Sequence, residues 1–244
     1  MSQRYPEDDD LNIARGIVKG TSVRNIFGLA SEMTAGSFKA CWENDTAYTY
    51  LSSADTLNVV SSVTTDTAVT VKLIGLDNEY NEIEEIVALD GTDSTTPVTT
   101  QQSFFRVNDL ITIAGNATGN VTVTDTTLGT TTLAKMLSGT GRNQASIYTV
   151  PAGCDFFLTR INAFSTNVSG TPKGEVGTFR NFVGLPSGVN LRVAEVDFAS
   201  TMEIMRVVPF KYSEKTDIQL QSQVYSTHST SIFAEGIVIK RGLS

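Results

Sequence analysis

The chain has 244 residues, a mass of 26.3 kDa, a formal net charge of -8 and a sequence pI near 4.7. That acidity opposes nucleic-acid binding, which needs clustered Lys and Arg to release counterions from phosphate. Charged residues make up only 18% of the sequence, below the usual quarter, so Thr, Ser and Asn must supply much of the polar surface, as suits exposed β-sheet.

Residues 1–40 read as an extended N-terminal arm. The acidic run Asp8, Asp9, Asp10 looks like a solvated terminus. The apolar residues that follow, Ile13, Ile17, Val18, Val23, Ile26, Phe27 and Leu29, keep neither a helical nor a strand period, and Gly16, Gly20 and Gly28 interrupt any long helix. Such a segment orders by lying on a partner, and Ile17, Val18, Ile26 and Phe27 are the expected apolar contacts. The first residues lack the apolar core of a secretory signal, and no run approaches the ~20 apolar residues that span a bilayer. A soluble protein starting in a cytoplasm is expected, with no membrane partner.

Residues 41–143 read as a first β-sandwich with its linker. Strands are predicted over 46–51, 56–61, 68–74, 83–89, 104–113 and 121–125, with Gly, Asn and Asp at the turns. In the third of these Val69, Val71 and Leu73 alternate with Thr70 and Lys72, the period of a half-buried strand. The hairpin through Gly75, Leu76, Asp77 and Asn78 is its clearest turn. Residues 130–137 fit a short helix or a linker, and the Gly139-Thr140-Gly141-Arg142 stretch a flexible connection.

Residues 144–244 read as a second, jelly-roll-like sandwich. Its strands are predicted at 147–150, 156–164, 178–183, 191–198, 203–210, 217–225 and 231–240. The expected architecture is therefore all-β: two tandem β-sandwich or jelly-roll-like domains preceded by the arm.

No catalytic constellation accompanies these strands. His228, the only histidine, sits in Ser-Thr-His-Ser-Thr and reads as a solvated hairpin tip rather than a general base. One His and two distant Cys do not give zinc spacing, and Cys41 and Cys154 are expected as reduced, buried thiols. The acidic run from Asp77 to Glu85 fails the EF-hand pattern, because positions six and twelve would be Glu82 and Ala88. Paired carboxylates are expected to be exposed strand residues rather than a glycosidase couple, and neither GxxxxGK[ST] nor GxGxxG occurs. Trp42, Tyr48 and Tyr50 read as core or interface aromatics before sugar platforms. The chain is expected to be no enzyme and to hold no cofactor and no metal.

The phrases Ser-Ser-Val-Thr-Thr-Asp-Thr-Ala at 61–68, Ile-Gly-Leu-Asp-Asn-Glu-Tyr-Asn-Glu-Ile-Glu-Glu at 74–85, Leu-Asp-Gly-Thr at 89–92, Tyr-Thr-Val-Pro-Ala-Gly at 148–153 and Tyr-Ser-Glu-Lys-Thr-Asp-Ile at 212–218 resemble virion structural proteins of tailed bacteriophages, especially marine ones. The resemblance implies β-sandwich modules, no cofactor, and assembly into virions in the bacterial cytoplasm. Its expected partners are other virion proteins, the major capsid protein or tail components, with homo-oligomerisation. A capsid-decorating or cement protein anchored by its arm is the leading expectation; a tail or baseplate protein that binds a host glycan through the second sandwich is the alternative.

Overall fold

The computed structural model describes residues 9–91, 97–167 and 177–242. The fold is all-β, built of several antiparallel sheets, with one six-residue helix, α1 (Asp9–Ala14), among the described residues. Sheet I has the order β1 (Thr21–Met33), β16 (His228–Lys240), β11 (Cys154–Asn167), β14 (Thr201–Tyr212). Sheet II runs β10 (Ile147–Thr149), β15 (Asp217–Val224), β12 (Gly177–Gly184), β13 (Asn190–Phe198), with the short β2 (Lys39–Ala40) also on β15. Sheet III is β6 (Val98–Thr99), β3 (Leu57–Ser61), β8 (Val121–Asp125), β9 (Thr132–Met136), and sheet IV is β5 (Glu82–Ala88), β4 (Thr70–Leu76), β7 (Arg106–Ala114).

Two hydrophobic cores organise these sheets. Sheets III and IV enclose Leu57, Val59, Val71, Leu73, Leu110, Val121, Val123 and Met136, all at or near full burial. Strict alternation produces that inner core: β3 and β8 bury every second residue, and β4 does the same up to its Gly75. Sheets I and II enclose the outer core, which joins Ile26, Ala30, Met33 and Cys41 to residues between Tyr148 and Ala234. The outer core therefore draws on both ends of the chain, and the inner sandwich is an excursion from it. The two cores are nested rather than consecutive.

Three expectations change accordingly. Residues 21–33 are a strand rather than an extended arm: β1 pairs along its length with β16, from Thr21 opposite Ile239 to Met33 opposite His228. The period was hidden because the inward positions are Ile26, Gly28 and Ala30, two of them too small to read as core. Gly28 is required there, since a Cβ would lie 2.3 Å from the Cys41 carbonyl oxygen and 2.5 Å from the Ser146 nitrogen. Residues 132–136 form strand β9 against β8 rather than a helix, because Leu133 and Met136 are drawn into the inner core. Residues 46–51 lie outside the strands and form an irregular strap.

The excursion leaves and returns through one neck. Ser146 N–H donates to the Cys41 carbonyl at 2.9 Å, Cys41 N–H donates to Ser146 Oγ at 2.8 Å, and Trp42 bridges Ala145. Ser146 Oγ in turn donates to the Leu220 carbonyl at 2.6 Å, tying the neck into sheet II.

Candidate assembly surfaces

The two sandwiches meet across a buried polar junction. The first half of β7 is buried on both faces, and that is why polar residues interrupt its apolar run. Arg106 forms a two-pronged pair with Asp217 of β15, Nε to Oδ1 at 2.9 Å and a terminal nitrogen to Oδ2 at 3.0 Å. Its remaining nitrogen donates to the Leu51 and Phe105 carbonyls, and its plane lies over the rings of Phe105 at 3.9 Å and Tyr50 at 4.6 Å. Burial disfavours the Arg106 charge, but the Asp217 hydrogen bonds outweigh it and hold the guanidinium pKa above its ordinary value.

Neighbouring contacts repeat the pattern. Asn108 exchanges two hydrogen bonds with the backbone of Thr149, each 2.9 Å, so a side-chain amide mimics a strand partner across the junction. Asp109 accepts from Arg142 and from Arg24 of β1, and Arg24 also donates to the Asn108 carbonyl at 2.8 Å. Trp42, Tyr48 and Tyr50 stack edge to face at 5.1 Å spacing and pack with Ala40 and Ile147. Trp42 is buried and Tyr48 and Tyr50 half-buried against the junction, with Trp42 Nε1 donating to the Thr46 carbonyl and Tyr48 hydroxyl to that of Leu133. A cleft of about 650 Å³ opens beside the junction, lined by Arg24, Asn81, Glu82, Tyr148, Cys154 and Lys240 among others.

The four expected partner contacts separate. Ile26 is 2% exposed and belongs to the outer core of its own chain, Val18 is half-buried, and Ile17 and Phe27 stand exposed. Adjacent strand residues face opposite ways, so Phe27 points out of sheet I where Ile26 points in. On that outer face Phe27 sits opposite Phe233, and Leu29 opposite Ser231, which pairs onward with Phe164. Phe27 and Phe164 are both exposed, and Phe233 and Phe164 border a groove of about 320 Å³. Further along, α1 borders the row of Val23 and Ile237, with Ile13 and Ala14 lining the groove between.

Other expected features resolve locally. His228 is buried rather than solvated: it opens β16, and its Nδ1 lies 2.6 Å from the Ser226 carbonyl oxygen. Asp77 closes the acidic hairpin by accepting from the N–H groups of Glu79 and Asn81 and from the Asn81 amide. Asp66 closes a buried turn, accepting from Ser61 and Thr118 hydroxyls and from the N–H groups of Thr118 and Gly119. Burial opposes its charge, and those hydrogen bonds outweigh burial and pull its pKa down to about 2. Cys41 and Cys154 are both free; Cys41 is buried and Cys154 half-buried, and burial raises both thiols. Among the described residues no group of three or more His, Cys, Asp and Glu could hold a metal ion, and no helix is long and apolar enough to cross a membrane.

No protein-family description matches the chain, and no curated protein is similar to it. Among solved structures it is similar to a chain in the structure of infectious bursal disease virus Gt strain, over 93% of this chain and 74% of that one, at 9% identity and a TM-score of 0.21. A likeness that slight carries no argument.

Proposed function

We propose that the chain is a non-enzymatic structural protein of a tailed-phage virion, a capsid-decorating protein that holds neighbouring shell subunits through its N-terminal end. In this reading the two β-sandwiches are rigid, jelly-roll-like modules and the shell contact is the outer face of sheet I. The observation that carries it is the row of outward aromatics there, running across three strands: Phe27 on β1, the strand that follows the exposed Ile17, beside Phe233 on β16, with Phe164 on β11 next along. Ile26 has no part in the contact, because it fills its own core. Each aromatic is already more than half covered, so burying the rest gains at most about half of the roughly 1.5–3 kcal/mol of a full burial. Contacts of that size, repeated around a shell, add up through multivalency to tight attachment.

Cryo-electron localisation on intact particles from the source tests this reading. Density spread over the shell, lost when Phe27→Asp protein replaces wild type, supports it. Density confined to the tail favours a receptor-binding tail or baseplate protein instead, and absence from particles overturns the virion assignment.

A further inference from the structure

A different surface lies at the opposite edge of the outer sandwich. β13 ends sheet II and β14 ends sheet I, and among the described residues each has a single neighbouring strand. β13 is exposed at seven of its nine positions, on both faces, so Leu191, Val193 and Val196 stand clear of the body. In β14 the pairing with β11 slips from Phe210 opposite Leu158 to Met205 opposite Arg160. The slip expels Val207 and Val208, at 101% and 71% exposure, beside Met205 at 72%. Natural edge strands are usually blunted by charge, proline or a bulge that turns the edge away. This bulge holds a charge and a proline, Arg206 and Pro209, and presents two valines between them.

We propose that this edge is a twofold interface with a second copy of the chain, in which β13 pairs antiparallel with β13 of the second copy and the β14 bulges pack beside it. The amount of surface favours a second copy. Val189 and the six apolar residues just named together expose the equivalent of about four whole side chains, roughly 400 Å² of apolar surface. Were all of it covered, a twofold contact would double that area, and with nearly three fifths of a normal interface apolar, the buried total would reach at most roughly 1,300 Å². Stable interfaces begin at about that size, and a partner lacking a matching patch would not reach it. Self-association by an isologous patch is also the commonest route to a closed oligomer.

Strand geometry narrows the register. A twofold axis relating two antiparallel strands passes through one residue that faces its own copy. Centring it on Arg192 or Glu195 would set like charges opposite each other, which destabilises a pair. Centring it on Val196 would set Glu195 against Asp197, and centring it nearer either end would shorten the paired stretch, so the axis falls on Val193 or Ala194, where the pairing of β13 with β12 slips by one residue. The interface stands independently of where the protein resides.

Sedimentation of the full chain across micromolar concentrations tests the proposal. Wild type is expected to sediment as a dimer. Val193→Lys and Val207→Asp should each weaken dimerisation by about 100-fold or more, with circular dichroism unchanged because both residues are exposed. Leu128→Asp, which alters an exposed apolar residue elsewhere, should leave the dimer intact. In a Cys154→Ala background, Val193→Cys or Ala194→Cys should cross-link on oxidation, because opposed Cα atoms lie about 4.5–5.5 Å apart. Asn190→Cys should not, its copies being roughly 20 Å apart. A monomeric wild type, a trimer, or a dimer indifferent to both substitutions overturns the proposal.

Discussion

Asp66 offers a quantitative test of how this threonine-rich fold secures its turns. The carboxylate is 2% exposed and is held by four hydrogen bonds from Ser61, Thr118 and Gly119, which lower its pKa from 3.8 to about 2. A group whose pKa is depressed on folding stabilises the native state above its unfolded pKa, and that contribution is lost as pH falls toward the folded value. At 1.36 kcal/mol per unit, the shift corresponds to about 2.4 kcal/mol at neutral pH, about half of which remains at pH 3. Asp66→Asn removes the titration and leaves the shape. Urea unfolding of both proteins from pH 7 to pH 2 should show the variant less stable at neutral pH, with the gap shrinking by roughly 2 kcal/mol over the acid range. Parallel pH profiles for the two proteins would refute the reasoning, because the Asp66 carboxylate would then contribute no titratable stability.

The Arg106–Asp217 pair is expected to behave as a buried ion pair. Arg106→Met or Asp217→Asn alone should cost about 3–5 kcal/mol by stranding the other charge, whereas replacing both with Met and Leu should recover much of it, as equilibrium unfolding of a double-mutant cycle would show. Ile26→Ala should cost about 2–5 kcal/mol of stability, and Phe27→Asp well under 1 kcal/mol, measured by the same unfolding assay, because the two neighbours face the core and the surface respectively.

Much of the inner sandwich is legible in the sequence because its strands alternate strictly. Leu57, Val59, Val71, Leu73, Val121 and Val123 occupy every second position of their strands, and no other regular structure fits that spacing. The strand containing Ile26 was not legible, because Gly28 and Ala30 serve as its core residues while Val23 and Phe27 face outward. With apolar side chains on both faces, the pattern cannot say which of Ile26 and Phe27 is buried. His228 misleads for the opposite reason: its neighbours are all polar, yet it begins a long central strand and is covered opposite Met33. The junction was out of reach for another reason. Arg106 and Asp217 are 111 positions apart, and pairing at that range leaves no local periodicity. The one available signal was the presence of Arg106, Asn108 and Asp109 inside the apolar run 104–113, a place where polar side chains need partners.

The nesting of the two cores sets the order in which this protein can come into being. On the ribosome the strand holding Thr21 is made long before β16, which among the described residues is its one sheet neighbour. The inner sandwich has all its strands between residues 57 and 136 and can close while synthesis continues. The outer one must wait for the C-terminal strand, and such long-range closure is slow. Until β16 emerges, the strand holding Thr21 lacks the neighbour it has in the fold, and the outer face that bears Phe27 does not exist as a surface. Translation itself thus delays any contact made by that face until β16 has been made and has paired.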